Sequence, residues 1–250
     1  MPKLSIITIN LNNKTGLQRT LKSVIEQTYK DFEYIVIDGG SVDGSVDVIK
    51  TNESAIRYHV SEKDTGIYNA MNKGLKKANG EYCLFLNSGD YLFAPDVLEN
   101  IFSQNFTEDI LYGDMMIEDA SGKQYKGQMP ESLTFEHMIN DTLWHPVSFI
   151  KRSLFNTYGY YREDITIISD YDFFLKAILV NKVSYRHIHI IVSVFLLNGI
   201  SSDPKNDVFL KTERRKVQLQ YFSETEIDAV PKKKSHKRNL LRKIIDRLKK

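Results

Sequence analysis

The sequence predicts an α/β protein with a mostly parallel central sheet flanked by helices. Over the first hundred residues, short apolar, β-branched runs alternate with helical stripes, the pattern of strands linked by crossover helices. Three of the runs end in acidic turns, at Asp38, Asp64 and Asp90. In an open parallel sheet the carboxyl ends of the strands share one edge, and ligands bind there. Three acidic loops on that edge suit a divalent cation and a polyhydroxylated, phosphate-bearing ligand.

Leu4 to Ile9 reads as the first strand, and Leu17, Leu21, Val24, Ile25 and Thr28 make a helical stripe behind it. Tyr34 to Ile37 is the second strand, followed by a helix from about Ser45 to Lys50. Ile56 to Val60 is the third, and Ile67, Met71, Leu75 and Ala78 mark one face of the next helix. Tyr82 to Leu86 is the fourth strand. After Pro95 the pattern loosens: a short helix to Phe102, a strand from Ile110 to Ile117, a turn-rich stretch over 119–127, a helix from Thr134 to Ile139 and a strand from Val147 to Ile150. Ser169 to Val180 reads as a helix burying Tyr171, Phe174, Leu175 and Ile178. Val183 to Leu197 reads as a strand, and Asn206 to Phe222 as a polar surface helix.

A chain of 250 residues can bury a substantial core. Its one cysteine, Cys83, lies inside an apolar run, which excludes an intrachain disulfide and fits a reducing compartment. Leu4 to Ile9 is too short for a secretory h-region, and Ile190 to Leu197 is far short of the roughly 20 residues that span a bilayer. A soluble or peripheral protein is expected. Ten of the 34 basic residues fall within 232–250 beside a single Asp, so the rest of the chain carries 24 basic against 31 acidic residues. An acidic body argues against nucleic acid as the main partner.

Several residues carry chemistry, each beside a plainer alternative. Asp38 could accept a hydrogen bond from a nucleobase or ribose, or the Asp38-Gly39-Gly40 and Asp43-Gly44-Ser45 segments could simply build a turn and cap a helix. Asp90, in Asn87-Ser88-Gly89-Asp90, is the best metal candidate, because Mg²⁺ needs only one or two protein oxygens when phosphates and waters complete its shell. The alternative is an ordinary turn. Asp170 at a helix start is either a general base facing a cleft or a dipole-stabilising residue, with Ser169 and Asp172 spaced like a capping box. Trp144 could stack on a sugar and His145 could bond a phosphate or hydroxyl, or both could be structural. His187 and His189 share one strand face at a spacing that could bind zinc, but the sequence suggests no third ligand.

Five segments in order make the chain resemble the family 2 glycosyltransferases. They are Ser5-Ile6-Ile7-Thr8-Ile9-Asn10-Leu11-Asn12, Leu21-Lys22-Ser23-Val24-Ile25-Glu26-Gln27-Thr28-Tyr29, the run from Glu33 to Ser45, the run from Glu62 to Gly74, and Leu86-Asn87-Ser88-Gly89-Asp90. The match is dense over residues 4–95, thinner to about 200, and absent from the tail. The resemblance implies a GT-A fold. Residues 1–100 would form its nucleotide-sugar half, 101–222 an acceptor-side second half with C-terminal helices, and 223–250 a basic tail. It implies that Thr8 and Asn10 line a nucleotide pocket with Asp38 facing the base and Gly40 nearby, and that Asp64 and Gly66 border the nucleotide and donor sugar. Asp90 would be the metal carboxylate, for Mn²⁺ or Mg²⁺, and Asp170 the base. The acidic pair usual before the metal ligand appears here as Gly89-Asp90, so Asn87 would take over the ribose contact, and Ser169 stands where many relatives carry Glu. The loop at Asn198-Gly199-Ile200-Ser201-Ser202 offers no His as a further ligand.

The expected reaction is inverting transfer of a sugar from a nucleotide-diphospho-sugar to an acceptor hydroxyl, on a glycan or lipid-linked intermediate of bacterial surface polysaccharide. Leu240, Leu241, Ile244, Ile245 and Leu248 fall on one helical arc opposite Arg242, Lys243, Arg247, Lys249 and Lys250, the composition of an interfacial helix on anionic lipid at the inner face of the membrane. A pyrophosphorylase would need a Gly-rich, Arg-containing loop that Asn10 to Lys14 does not supply, and no dehydrogenase Gly-x-Gly-x-x-Gly is present. The non-enzymatic alternative is an inactive sugar-nucleotide-binding module tethered to membrane.

Overall fold

The fold is known from a computed structural model that describes residues 1–119, 121–197 and 204–232. The chain alternates as the sequence predicts: β1 (Leu4–Asn10), α1 (Lys14–Ile25), β2 (Phe32–Asp38), α2 (Ser45–Thr51), β3 (Tyr58–Ser61), α3 (Ile67–Lys77) and β4 (Tyr82–Phe85). These four strands run parallel in the order β3-β2-β1-β4. Their interiors are β-branched and aromatic, and Ile6, Ile7, Ile35, Val36 and Leu84 are wholly buried, as expected of strands covered on both faces. Ile7 meets α3 at Gly74, where a Cβ would sit 2.5 Å from the Ile7 Cγ2, so only glycine lets helix and sheet approach this closely. Ile6, the next residue along the strand, turns to the opposite face. Leu17, Leu21 and Val24 of α1 are buried, each worth roughly 1.5–3 kcal/mol relative to exposure.

The second half changes character. It comprises β5 (Tyr91–Leu92), α4 (Val97–Phe102), β6 (Ile110–Glu118), β7 (Gln124–Gly127), α5 (Phe135–Asn140), β8 (Ser148–Lys151), α6 (Arg152–Tyr158), α7 (Ser169–Phe174), β9 (Tyr185–Leu196), α8 (Asp207–Gln218) and α9 (Glu224–Asp228). The sheet continues as β4-β8-β6-β9-β5, with β8 antiparallel to both neighbours, β6 parallel to β9, and β7 added to β6. The parallel pattern therefore holds over the first four strands and gives way to a mixed sheet beyond them. The 119–127 stretch, read as turns, is a hairpin: Asp119 accepts from the Ser121 and Lys123 amides, which tightens its tip and lets β7 pair back on β6. The helix expected over 169–180 widens after Phe174 into a π-helical turn, Leu175–Val180.

Ile227 of α9 is buried, and Asn140 donates to the Pro231 carbonyl at 3.0 Å, so the chain stays on the body to that point. The expected amphipathic helix over 240–248 and the 198–202 loop lie outside the described residues. Among those described, no helix is long and apolar enough to cross a membrane.

Candidate active site

The site lies where β1, β2 and β4 end together. Asn10 pairs in register with Asp38, and the Ser88 amide donates to the Ile9 carbonyl at 3.0 Å, which carries the Asn87–Asp90 turn alongside β1. Asp38 is fully buried. Its Oδ1 accepts from Asn10 Nδ2 at 2.7 Å and Ser41 Oγ at 2.6 Å, and its Oδ2 from the Ser41 amide at 2.9 Å and Ser61 Oγ at 2.6 Å. A carboxylate accepts about four hydrogen bonds, so this one is saturated by the protein. Burial alone would raise its pKa, but the bonds from Ser41, Ser61 and Asn10 outweigh it and hold the group below its ordinary value. Asp38 thus shapes the pocket wall from behind. The turn reading of Asp43 also holds: it accepts from Ser45 and from the Lys14 amide, tying the 38–45 loop to the start of α1.

Thr8 is wholly buried, donating to the Leu86 carbonyl at 2.7 Å and sitting 2.9 Å from the Tyr34 hydroxyl. It stands inside the sheet, one layer below the pocket expected to contain it. Asn10 reaches the edge: its Nδ2 is held by Asp38, while its buried Oδ1 has no partner among the described residues. Gly40 has φ +81°, with the space a Cβ would take only 3.4 Å from the Lys63 amide, so the loop can close here only through glycine. Asp64 leans over Gly39 and accepts from Lys73 Nζ at 2.6 Å. Gly66 caps the start of α3 and offers no side chain across its first amides.

Asp90 is 8 % exposed, and its Oδ1 accepts from the Leu196 amide at 3.2 Å. Its turn is fixed from below by Thr20, which donates to the Asp90 carbonyl at 2.7 Å, and by Asn13, which donates to the Ser88 carbonyl at 2.9 Å. Three residues back, the Asn87 Oδ1 is buried without a partner among the described residues. Asn10, Asn87 and Asp90 stand at the ends of neighbouring strands on this edge and offer oxygens only, two of them unpartnered among the described residues, the donor chemistry that a hard cation such as Mg²⁺ or Mn²⁺ takes when phosphate and water complete its shell.

Asp170 opens α7 and is half-buried. Its Oδ1 accepts from the Tyr68 hydroxyl at 2.8 Å. Tyr68 stands two residues after Gly66, so α3 links Asp170 to the loop carrying Asp64. Burial, then the negative charge of Asp170, pushes the Tyr68 and Tyr161 phenols well above their usual pKa. The capping-box expectation fails: Ile168 is the N-cap with no side-chain bond, the buried Ser169 Oγ has no partner among the described residues, and Asp172 instead accepts from Tyr221 at 2.9 Å. Asp170 is therefore not needed to cap its helix by way of Ser169.

Trp144 is 3 % exposed, its ring packed where a Gly127 Cβ would fall, 2.8 Å away. The sugar-stacking expectation does not hold; this indole is core. His145 is also buried, its Nε2 2.8 Å from the Tyr161 hydroxyl and its ring stacked on Phe85 at 4.6 Å. Burial lowers its pKa, against the opposing pull of Asp170, so it is a neutral ring in the wall near Asp170. Sequence reading missed Tyr68, although it lies within a quoted motif: its neighbours Ile67 and Met71 define the helix's apolar stripe, and the phenol reads as more of the same. Thr20 was missed because a mid-helix threonine carries no signal of what it bonds across the sheet.

Fold and edge together define a transferase of the GT-A type, in which polar groups gather at the carboxyl ends of the first parallel strands. The glycosyl transferase family 2 model matches residues 5–169, and the chain belongs to that family. An uncharacterised glycosyltransferase of Mycobacterium tuberculosis is 38 % identical over 183 residues, spanning 72 % of this chain and 70 % of its own. A PGL/p-HBAD biosynthesis glycosyltransferase of the same organism is 29 % identical over 219 residues, 84 % of this chain and 83 % of its own. In three dimensions, S. aureus TarS 1–349, solved with UDP-GlcNAc, superposes with a TM-score of 0.69 at 18 % identity, covering 91 % of this chain and 70 % of that one. The mannosyltransferase PcManGT of Pyrobaculum calidifontis, solved with GDP-Man and Mn²⁺, gives 0.67 at 16 %, covering 89 % and 65 %. The chain is a glycosyltransferase with a GT-A fold.

Proposed function

We propose that this glycosyltransferase is inverting and metal-assisted. It would take a nucleotide-diphospho-sugar at the β1–β2–β4 edge and pass the sugar to an acceptor hydroxyl, with Asp170 as general base. The observation that carries the reading is the contrast between two carboxylates. Asp38 is sealed by four donors, whereas Asp170 is half-buried with a single side-chain donor among the described residues, Tyr68, which orients it. A base must be held in place and still be reachable.

The donor's nucleotide would lie across Asn10, Gly40 and Asp64, with its diphosphate towards Asn87 and Asp90. Asp90 would hold Mn²⁺ or Mg²⁺, which when bound neutralises charge developing on the diphosphate leaving group. The acceptor oxygen attacks the anomeric carbon from the face opposite the diphosphate. The new C–O bond forms as the sugar–diphosphate bond breaks, and the hydroxyl proton passes to Asp170. One displacement inverts the anomeric centre.

The acceptor would bind in the second half of the fold, with residues 1–100 serving the donor. A lipid-linked glycan suits the names of two relatives, the PGL/p-HBAD enzyme and a putative teichuronic acid biosynthesis glycosyltransferase of Bacillus subtilis, 30 % identical over 149 residues. The ten Lys/Arg of 232–250 would draw the protein to the anionic inner face of a membrane. The test is a screen of UDP-, GDP- and dTDP-sugars for hydrolysis and transfer with Mn²⁺ and after chelation, wild type beside Asp90→Ala. Donor turnover that is unaffected by both chelation and D90A refutes the metal-assisted reading.

A further inference from the structure

A polar cluster lies between β6 and the first half of β9, away from the ends of β1, β2 and β4. His187 is buried, its ring stacked on Tyr112 at 5.2 Å. Its Nε2 lies 3.0 Å from Asp114 Oδ1 and its Nδ1 3.3 Å from Glu131 Oε1. His189 brings its Nε2 to 3.3 Å from the same Glu131 oxygen, with its ring centroid 4.4 Å from that of His187. The third ligand that the sequence did not suggest is therefore Glu131, delivered by the segment that follows β7. One donor atom from each of the three residues lies within 4.8 Å of the others.

The chemistry of these contacts points to a cation. Asp114 is buried and already accepts from the Met129 amide at 3.1 Å, with Lys126 Nζ 3.3 Å from its other oxygen, so it faces His187 as a carboxylate acceptor. A neutral His187 that donates from Nε2 to Asp114 turns its Nδ1 lone pair toward the Glu131 carboxylate. Two lone-pair-bearing atoms at 3.3 Å repel unless something positive lies between them. Tetrahedral zinc with bonds of about 2.0–2.1 Å sets its ligand atoms about 3.3 Å apart, the separation seen at both contacts of Glu131. A carboxylate behind a metal-binding histidine is the usual support that fixes its tautomer.

The backbone is arranged for this convergence. His189 adopts φ +51°, where residues other than glycine are uncommon, and the β6–β9 register shifts between Tyr112 and Asp114. The Tyr112 hydroxyl lies within bonding distance of the Pro130 and Glu131 carbonyls, which anchors the Glu131 segment over the strand. The cluster is well separated from Asp90, which meets β9 at Leu196, seven residues beyond His189 and on the order of 20 Å along an extended strand.

We infer that Glu131, His187 and His189 form a binding site for a zinc-class divalent cation, with Asp114 fixing the His187 tautomer, and that the bound ion clasps the segment after β7 to β9. Two imidazoles select a borderline ion such as Zn²⁺ over Mg²⁺, and three protein ligands leave a fourth position for water. The inference does not depend on the assignment of Asp170 or Asp90.

The test uses the full chain without an affinity tag, loaded with Zn²⁺ and dialysed, with bound metal counted by elemental analysis. His189 and Glu131 are exposed, so H189A and E131Q remove ligands without disturbing the core. Wild type and D90A should each retain one zinc per chain more than either variant. Co²⁺ loading should give wild type the visible absorption of a tetrahedral site, absent in H189A. Zn²⁺ at 100-fold over its dissociation constant should raise the melting temperature of D90A by about 5–10 °C, and the H189A/D90A double variant should not respond. No extra zinc in wild type, meaning that a proton fills the gap, overturns the inference. So does retention of that additional zinc in either H189A or E131Q.

Discussion

The two halves of the sheet handle buried polar residues in opposite ways. At the carboxyl ends of β1, β2 and β4, polar side chains bond to neighbouring strand ends and the loops that follow them: Asn10 to Asp38, Asp38 to Ser41 and Ser61, Asn13 to Ser88. In the mixed half, Asp114, Glu131 and His187 come from a strand, a loop and another strand spread over more than 70 residues. A hydrogen bond crosses between the halves, joining Tyr68 to Asp170 over 102 residues of chain. The first half is a frame that holds its own loops in place. The second half draws its polar contacts from segments far apart in sequence.

That division can be broken by mutation. Asp170→Asn should lower transfer by about 10²–10⁴-fold while leaving nucleotide affinity unchanged. A parallel loss of nucleotide affinity would place Asp170 in the frame, and unchanged transfer would favour an inactive sugar-nucleotide-binding module.

Asp38→Ala should act in the reverse sense, costing on the order of 3 kcal/mol of stability by stranding buried donors, or about 6–12 °C in melting temperature. The folded pKa of Asp38 lies below its ordinary value, so its contribution is present at neutral pH and is lost as pH falls through that depressed value. Denaturation curves of wild type and D38A should therefore converge on acidification below about pH 4. A gap that stays constant to pH 2 would mean that the cost is packing and not charge.

Tyr68→Phe removes one hydrogen bond to a charged group, and kcat should fall about tenfold to a hundredfold with the donor KM unchanged. An unaltered kcat would mean that Asp170 is oriented by its helix alone. The smallest effect belongs to Trp144→Phe, about 1 kcal/mol of stability with both substrate KM values unchanged, because the indole N–H it removes has no partner among the described residues. A raised acceptor KM would restore a sugar contact to Trp144.

Much of the first half was legible because one strand's period and its terminal turn fall within the same dozen residues. Asp38, Asp64, Asn87 and Asp90 each stand where an apolar run stops, and the structure gathers them on one edge. Reading Trp144 as an exposed stacking residue failed because its surroundings are set by Gly127, on a hairpin whose strand β7 looked like turns. The capping reading of Ser169 failed because spacing alone cannot distinguish a hydroxyl bonded to its own helix from one buried beneath it. Cys83, which the sequence sets inside an apolar run, is wholly buried, and burial pushes its thiol up to about 12, so it is inert packing.

The sequence by itself determined the alternation of strand and helix, the shared edge of acidic turns and the family, because periodicity and turn chemistry act over a few residues. Tertiary structure alone decided that Asp38 is sealed while Asp170 is only half-buried, that Tyr68 bonds to Asp170, and that Glu131 stands beside His187 and His189. Each of these depends on how densely other segments pack around a side chain and which donors they bring. The cost of leaving a buried polar group unpaired fixes those partners only after the chain has folded.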